Sequence, residues 1–272
     1  MVTRLAADLR GINDNGTAVV LRFAHEMNGS WYPWSQRPAQ YIEVFRKVAA
    51  AVHREAQGTA MLWAPNYGGG YPFSGGQYVA RPGSADFAAL DTNSDGVLGM
   101  ADDPYLPFYP GDDAVDWVGM SLYHWGNNYP WGSNDIPEAG KLAGMLTGTY
   151  SGSVGDERGV PDFYDVFGTK HHRPVAITET AALYAPGRGG ADELALKQAW
   201  WRQVFSNQTH EQFPMLKMIN WFEWSKDEVE VVGVVDWRTL SSATTRPAFV
   251  ADLPSWLTYG GENPNVCSWG FS

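Results

Sequence analysis

The sequence predicts an α/β fold of the (β/α)8 TIM-barrel type, and three observations favour it. Short apolar runs alternate with helical patterns, which is typical of a parallel sheet covered by helices. These runs end in polar or aromatic residues, as barrel strands do at the rim where chemistry gathers. No glycine-rich phosphate loop follows the first run, which argues against a doubly wound open sheet.

Each element is predicted from a local pattern of side chains. Helices are expected where apolar residues recur at helical spacing, and Pro38 favours a helix that begins beside it. Continuous runs such as "AVVLRF" are typical of strands buried on both faces of a sheet. Helices are predicted at 3–12, 38–56 and 191–206, and strands at 18–23, 60–65, 114–125, 174–181 and 216–224. The tail beyond about residue 250 has no periodicity and is predicted to be coil.

Composition limits the partners of this chain. With 44% hydrophobic and 18% charged residues, positions 1–272 fit a single globular domain. A formal net charge of −11 repels nucleic acid and anionic membrane surfaces, so neither is a predicted partner. No apolar run reaches the length of a membrane span, and the amino terminus lacks the apolar run of a signal peptide. The single cysteine, Cys267, excludes an intramolecular disulfide framework.

Aromatic side chains make up 14% of the residues, and several tryptophans lie in segments such as "SWYPWSQRP" and "HWGNNYPWGSND". Segments rich in Gly, Pro and Asn are surface loops, where exposed tryptophan more often contacts a ligand than nothing. Flat aromatic faces suit the C–H faces of pyranose rings. The predicted sugar platforms are Trp31, Trp34, Trp63, Trp125 and Trp221, with ordinary packing as the alternative for one or two of them.

Two glutamates, Glu26 and Glu179, lie at the ends of predicted strands, so both are expected on one rim. Hydrolysis of a glycosidic bond needs such a pair: one carboxyl protonates the leaving oxygen, and the other attacks the anomeric carbon or activates water. Arg22 shares strand parity with Glu26, and its buried guanidinium requires a partner, for which Glu179 or another inward-facing acid is the candidate. Taken singly, each glutamate also fits helix capping or an arginine pair, and Glu223 is a rival carboxylate.

The segment "RFAHEMNGSWYPW" resembles the acid/base motif on the fourth strand of glycoside hydrolase family 26, whose members are (β/α)8 barrels that act on β-linked polysaccharides. Three shorter segments, "VGMSLYHW", "PVAITETA" and "NWFEW", resemble the sixth, seventh and eighth strands of that family. The first motif is specific, whereas the others match mainly by order and spacing. The resemblance implies a retaining, endo-acting hydrolase with Glu26 as acid/base and Glu179 as nucleophile.

The same resemblance assigns supporting roles. It implies that Tyr123 hydrogen-bonds the nucleophile, that His25 contacts a sugar hydroxyl, and that Trp221 lies beneath the sugar at the cleaved bond. β-1,4-Mannan is the first expected substrate, with mixed-linkage β-glucan and β-1,3-xylan as alternatives. A non-catalytic carbohydrate-binding protein is the alternative from another class. We expect a monomer that acts outside the cell.

The motif order also predicts that the barrel is partial. If the strand at 18–23 is the fourth of eight, the first three strands are absent from this chain, and five strands cannot close a barrel. Residues 1–272 are then one catalytic domain that lacks its amino-terminal strands, with an insertion at 66–113. An irregular segment of that length is uncommon and usually functional.

Within the insertion, "DTNSDGVLGMAD" has the spacing of a calcium loop. Oxygen ligands fall at Asp91, Asn93, Asp95 and Asp102, and Gly96 at the sixth position permits the sharp turn. A structural Ca²⁺ is predicted here, with a solvated acidic turn as the alternative. Hydrolysis by two carboxylates needs no cofactor, although a metal-dependent hydrolase that uses this loop is a third hypothesis.

Overall fold

The computed structural model describes residues 1–152 and 159–259. At its centre is a five-stranded parallel sheet in the order β1-β2-β3-β4-β5. The strands are β1 (Val19–Arg22), β2 (Thr59–Trp63), β3 (Trp117–Ser121), β4 (Val175–Thr180) and β5 (Leu216–Trp221). All five predicted strands are therefore confirmed, and Glu179 lies inside β4.

Helices cover one face of this sheet, and the three predicted helices are confirmed. The helices are α1 (Val2–Asp14), α2 (Pro38–Glu55), α3 (Ala85–Leu90), α4 (Lys141–Leu146), α5 (Glu193–Val204), α6 (Asn207–Gln212) and α7 (Thr245–Asp252). Pro38 occupies the first turn of α2, where its missing N–H costs no hydrogen bond. Asp192 caps α5 by accepting from the backbone N–H of Ala195 at 3.0 Å.

The two faces of the sheet differ in what they bury. Alternate strand residues, such as Met61, Trp63 and Ile177, join the main core beneath the helices. Their neighbours Leu62 and Ala176 form a small apolar cluster on the opposite face. This arrangement of parallel strands with helices on one side is the predicted barrel-type fold.

The sheet is open at both edges. Every residue of β2 is buried, whereas β1 and β5 are half-exposed along much of their length. Among the described residues, no strand pairs with the outer edge of β1 or β5. The fold is therefore the partial barrel that the sequence predicts.

Several shorter elements were not predicted. A two-stranded antiparallel hairpin, β6 (Ser225–Glu228) and β7 (Gly233–Asp236), follows β5. The insertion at 66–113 contains two 3₁₀ turns, Gly68–Gly70 and Leu106–Phe108, in addition to α3. The tail forms no helix or strand from 253 to 259, and positions 260–272 of the predicted coil lie outside the described residues. Within the described part of the chain, no helix has both the length and the apolarity needed to cross a membrane.

Candidate active site

Glu26 is held in an unusual backbone conformation just beyond β1. Its φ is 55°, in the left-handed region that non-glycine residues rarely adopt. The backbone N–H of Glu26 donates to Ala64 O at 2.8 Å, which continues contact with the β2 side of the sheet after β1 has ended. The carbonyl of Glu26 accepts from Gly29 N–H at 3.0 Å. These bonds fix a turn that leaves the residue only 8% exposed.

Glu179 lies inside β4 and reaches the site because the pairing of this strand is irregular. Val175 and Ile177 face the helix-covered core, so strict alternation would also turn Glu179 toward the helices. The register shifts between Ile177 and Thr180 where β4 pairs with β5, and next to Ser121 where it pairs with β3. The Glu179 side chain accordingly lies on the opposite face. Bulges of this kind re-aim side chains near active sites.

Arg22 joins the two carboxyl groups. Its Nη1 donates to Glu179 Oε1, and its Nη2 lies 3.9 Å from Glu26 Oε1. The same Nη2 donates to Ser121 Oγ at 2.6 Å. One planar guanidinium thus contacts both carboxyls, which keeps them within the roughly 10 Å that glycosidase carboxyl pairs span. The pairing of Arg22 with Glu179 that strand parity predicts is confirmed.

The two carboxyls differ in proton affinity. Burial raises the pKa of Glu26 and outweighs the Ser121 hydrogen bond, which lowers it; the negative charge of Glu179 raises it further, against smaller effects of Arg22 and Trp31. Burial would also raise the pKa of Glu179, but the Arg22 charge and hydrogen bonds outweigh it and lower that pKa. One of these bonds comes from Tyr123, whose hydroxyl donates to Glu179 Oε2 at 2.6 Å. The pair therefore favours one protonated and one ionised carboxyl.

The aromatic residues that follow Glu26 form one cluster beside it. Trp31, 39% exposed, donates from its indole N–H to Glu26 Oε2 at 2.9 Å. Trp34 stacks on Tyr32 with ring centroids 4.6 Å apart, and its indole donates to the carbonyl of His25 at 2.9 Å. His25 Nε2 lies 3.1 Å from the Tyr32 hydroxyl. Burial, followed by the Arg22 charge, lowers the pKa of His25, so the ring is neutral at pH 7.

Trp125 lies beside Tyr123, whose hydroxyl donates to Glu179. It is half-buried, and its ring is 6.4 Å from that of Tyr123 and 5.0 Å from that of Trp237. Trp237 is itself buried and also contacts the Tyr123 ring at 5.1 Å. The structure thus gathers Trp31, Trp34 and Trp125 around the glutamates.

One predicted sugar platform is wrong. Trp63 is fully buried, and its ring lies 4.8 Å from that of Phe167 beneath the helices, so no ligand can reach its face. Trp221 is half-buried, and its ring packs 5.5 Å from that of Phe249 in α7. It also packs against the apolar cluster that Tyr123 and Trp125 contact, so its role as a sugar platform stays a prediction.

The rival carboxylate, Glu223, has a structural position. Its two oxygens accept from the backbone N–H groups of Thr239 and Leu240, at distances of 2.6 to 3.1 Å. These bonds close the turn that follows β7. This use of both oxygens agrees with ranking Glu223 below Glu179.

Sequence reasoning did not single out Ser121 or Tyr32. Ser121 is fully buried between Arg22 and Glu26, and Tyr32 stacks on Trp34. Strand parity could have identified Ser121 as a site residue, because it precedes Tyr123 by two positions and so lies on the same strand face. Tyr32 carries no comparable signal, since its position depends on the turns of the loop.

The predicted calcium loop has the expected turn. Gly96 has a φ of 84°, as the sixth position requires. The Asp91 carboxylate accepts from Gly96 N–H at 2.9 Å, and buried Asp102 accepts from Thr92 N–H at 2.7 Å. Asp95 accepts from the side-chain amide of Asn93 at 3.1 Å. Over the described residues, no three His, Cys, Asp or Glu side chains are grouped as a metal site, so calcium stays a prediction.

Comparisons with known proteins add independent information. The sequence model of glycosyl hydrolase family 26 matches residues 1–78. Endoglucanase H of Acetivibrio thermocellus is 29% identical over 139 residues, which cover 48% of this chain and 12% of that protein. A double mutant of the Cellulomonas fimi endo-β-1,4-mannanase has a TM-score of 0.52 at 17% identity, over 96% of this chain and 48% of that chain.

A second solved structure, the catalytic domain of a Bacillus sp. JAMB-750 family 26 endo-β-1,4-mannanase, has a TM-score of 0.49 at 17% identity, over 92% of this chain and 54% of that chain. The chain therefore spans about half the length of these two structures and a much smaller part of endoglucanase H. At this level of identity, the likeness to the Cellulomonas fimi structure establishes the fold alone.

Proposed function

We propose that this chain, whose residues 1–78 match the sequence model of glycosyl hydrolase family 26, is a retaining glycoside hydrolase acting within β-linked polysaccharide chains. The observation that carries the proposal is the Arg22 guanidinium shared by Glu26 and Glu179. This guanidinium lies between a carboxyl with a raised pKa, Glu26, and a carboxyl with a lowered pKa, Glu179. Exposed and half-buried aromatic rings lie beside the pair. That combination suits hydrolysis of a bond between two sugar rings.

In the proposed first step, Glu26 donates its proton to the glycosidic oxygen while a Glu179 oxygen attacks the anomeric carbon. The bond to the leaving sugar breaks, and an ester between Glu179 and the remaining sugar forms. Glu26, now ionised, then takes a proton from water, and that water attacks the anomeric carbon and releases Glu179. The Tyr123 hydrogen bond and the Arg22 contact support an ionised, oriented nucleophile.

The proposed substrate is β-1,4-mannan, with mixed-linkage β-glucan and β-1,3-xylan as the alternatives. The similar Cellulomonas fimi protein is an endo-β-1,4-mannanase, whereas the Acetivibrio thermocellus relative is an endoglucanase. Sugars that differ in one hydroxyl are distinguished by individual polar contacts in the site. His25 and Tyr32 are our candidates for those contacts, because both present polar ring atoms beside Glu26.

The test is release of reducing ends from β-mannan, mixed-linkage β-glucan and β-1,3-xylan. We expect the wild type to hydrolyse mannan faster than the other two glycans. Glu179→Gln should lower kcat by at least about 10³-fold, because the amide cannot form the ester intermediate. Glu223→Gln is the matched control, since Glu223 holds a turn and should leave the hydrolysis rate within a few fold. Binding of a glycan without release of reducing ends by wild type would instead favour a non-catalytic binding protein.

We also propose that 1–272 acts as one catalytic domain outside the cell, as a monomer. Support comes from the continuous helix-side core, which includes residues from α1 through the strand β5 and its neighbours. The polysaccharide substrate is too large to cross a membrane freely, which supports an extracellular site of action. Fractionation of the producing cells, with size-exclusion chromatography of the purified chain, tests both parts.

A structural Ca²⁺ at Asp91, Asn93, Asp95 and Asp102 remains part of the proposal, supported by the spacing and by the left-handed Gly96. At a calcium concentration about 100-fold above Kd, binding would stabilise the fold by roughly 2.7 kcal/mol. We expect Ca²⁺, and not Mg²⁺, to raise the Tm by several degrees relative to chelator. Asp91→Asn should reduce that rise, whereas Asp8→Asn on exposed α1 should not. Equal Tm values in Ca²⁺ and chelator would mean that the loop is a solvated acidic turn.

A further inference from the structure

The loop at 126–136, which follows β3 on the rim next to Tyr123, is held in place by hydrogen bonds from buried polar side chains. His124, fully buried, donates from Nε2 to Asp135 O at 2.7 Å. Lys141, 2% exposed, donates to Gly126 O at 2.6 Å. Asn134, also 2% exposed, accepts from Ala185 N–H at 2.7 Å and donates to Ala185 O at 3.1 Å. Three buried side chains thus fix a loop of irregular backbone.

This loop presents two aromatic rings. Tyr129 is 62% exposed, and Trp131 is half-buried with its ring centroid 5.8 Å from that of Tyr129. Trp131 packs against Gly126, where an added Cβ would lie 3.3 Å from the indole. Gly126 has a φ of 145°, so a side chain at this position would be strained as well as crowded. The backbone of the loop is therefore built to seat the Trp131 ring.

The two rings continue an aromatic surface that begins at the carboxyl pair. Tyr123 donates to Glu179, the Trp125 ring lies 6.4 Å from that of Tyr123, and the Trp131 indole lies against Gly126, the residue after Trp125. Trp125 and Trp131 both pack against the apolar cluster that the β6–β7 hairpin contributes to. An aromatic surface that extends from a hydrolytic centre matches the repeat of a linear polysaccharide better than the shape of a compact ligand.

We propose that Tyr129 and Trp131 form a second binding segment, which holds sugar units of the polysaccharide beyond those at the cleaved bond. The inference rests on the proposed function for the class of ligand, a neutral β-linked glycan. Binding there requires no ordering of the loop, because buried side chains already fix it. The segment would make longer oligosaccharides bind more tightly than short ones.

The test uses isothermal titration calorimetry in a Glu26→Gln background, so that hydrolysis is slow while binding is measured. The probes are a manno-hexaose and a mannobiose, with the corresponding β-1,4-gluco-oligosaccharides in parallel. Trp131→Ala should raise the Kd for the hexaose about tenfold more than the Kd for the biose. Trp256→Ala is the matched control. The Trp256 ring stacks on His210 in α6, which precedes the amino end of β5. The Kd values of this variant for both oligosaccharides should therefore be unchanged.

Tyr129→Ala provides a second variant that cannot unfold the protein through loss of core packing, since most of that ring is exposed. Tyr259→Ala, at 55% exposure in the tail, is its control. The proposal would be overturned if the Tyr129 and Trp131 variants raised the Kd equally for hexaose and biose. It would also be overturned if the control variants raised the Kd for hexaose as much as they do. Absence of hexaose binding to the Glu26→Gln parent would overturn it too. Length-dependent binding by a wild type that hydrolyses no glycan would support the binding segment and reject the hydrolase.

Discussion

Glu26→Gln should lower kcat/KM on polysaccharide by about 10²- to 10⁴-fold, the usual contribution of a positioned general acid. The loss should be much smaller on aryl glycosides with a good leaving group, because a nitrophenolate departs without a proton. Comparing dinitrophenyl and alkyl glycosides in the variant measures this difference directly. Wild type and Glu223→Gln should show no such dependence on the leaving group. A uniform loss on every substrate would show that Glu26 does not act as the acid.

The pH dependence of the same variant provides a second readout. In the proposed mechanism Glu26 must be protonated for the first step, so wild-type activity should fall as pH rises through the raised pKa of Glu26. Glu179 must be ionised, so activity should fall as pH drops through its lowered pKa. Together these give a bell-shaped profile with a broad top. In Glu26→Gln the alkaline limb should disappear, while the acid limb should remain.

Arg22→Met should reduce both stability and activity. The guanidinium is the shared cationic partner of two largely buried carboxyls, and removing one member of such a set costs about 3 kcal/mol or more in the free energy of unfolding. The side chains of Arg22 and Glu179 are 19% and 24% exposed, so we expect the lower end of that range. Denaturant unfolding of the variant and wild type measures the difference.

The same variant should move the acid limb of the activity profile to higher pH. Without Arg22, burial remains and the pKa of Glu179 rises, so the nucleophile stays protonated over a wider pH range. Arg202→Met is the control, because it breaks an exposed pair with Asp252 and should cost within about 1 kcal/mol. An unchanged acid limb in Arg22→Met would contradict the assigned pairing with Glu179.

Much of the sheet could be predicted from the sequence, because continuous apolar runs such as "AVVLRF" leave few alternatives to a buried parallel strand. The pairing of Arg22 with Glu179 also followed from the sequence. Strand parity places the guanidinium on the inner face, and burial demands an anion there. These inferences succeed because they depend on the local chain and on one general electrostatic requirement.

Other parts of the site depend on tertiary detail that periodicity does not carry. Trp63 was expected to face sugar, yet it has the parity of residues that face the helices. Glu179 shows the opposite case, since it reaches the site only through a shift of register. The β6–β7 hairpin was missed because its strands are short and contain charged residues, which weakens the apolar signal.

The single guanidinium between the carboxyls has a consequence for how their protons are shared. The charge of Glu179 is one reason that Glu26 holds its proton, so the two ionisations are properties of the pair and not of either residue. When Glu179 becomes an ester in the proposed mechanism, its charge disappears and Arg22 is left to attract Glu26 alone. The proton affinity of Glu26 then drops at the stage when a base is required, so one covalent bond converts a donor into an acceptor.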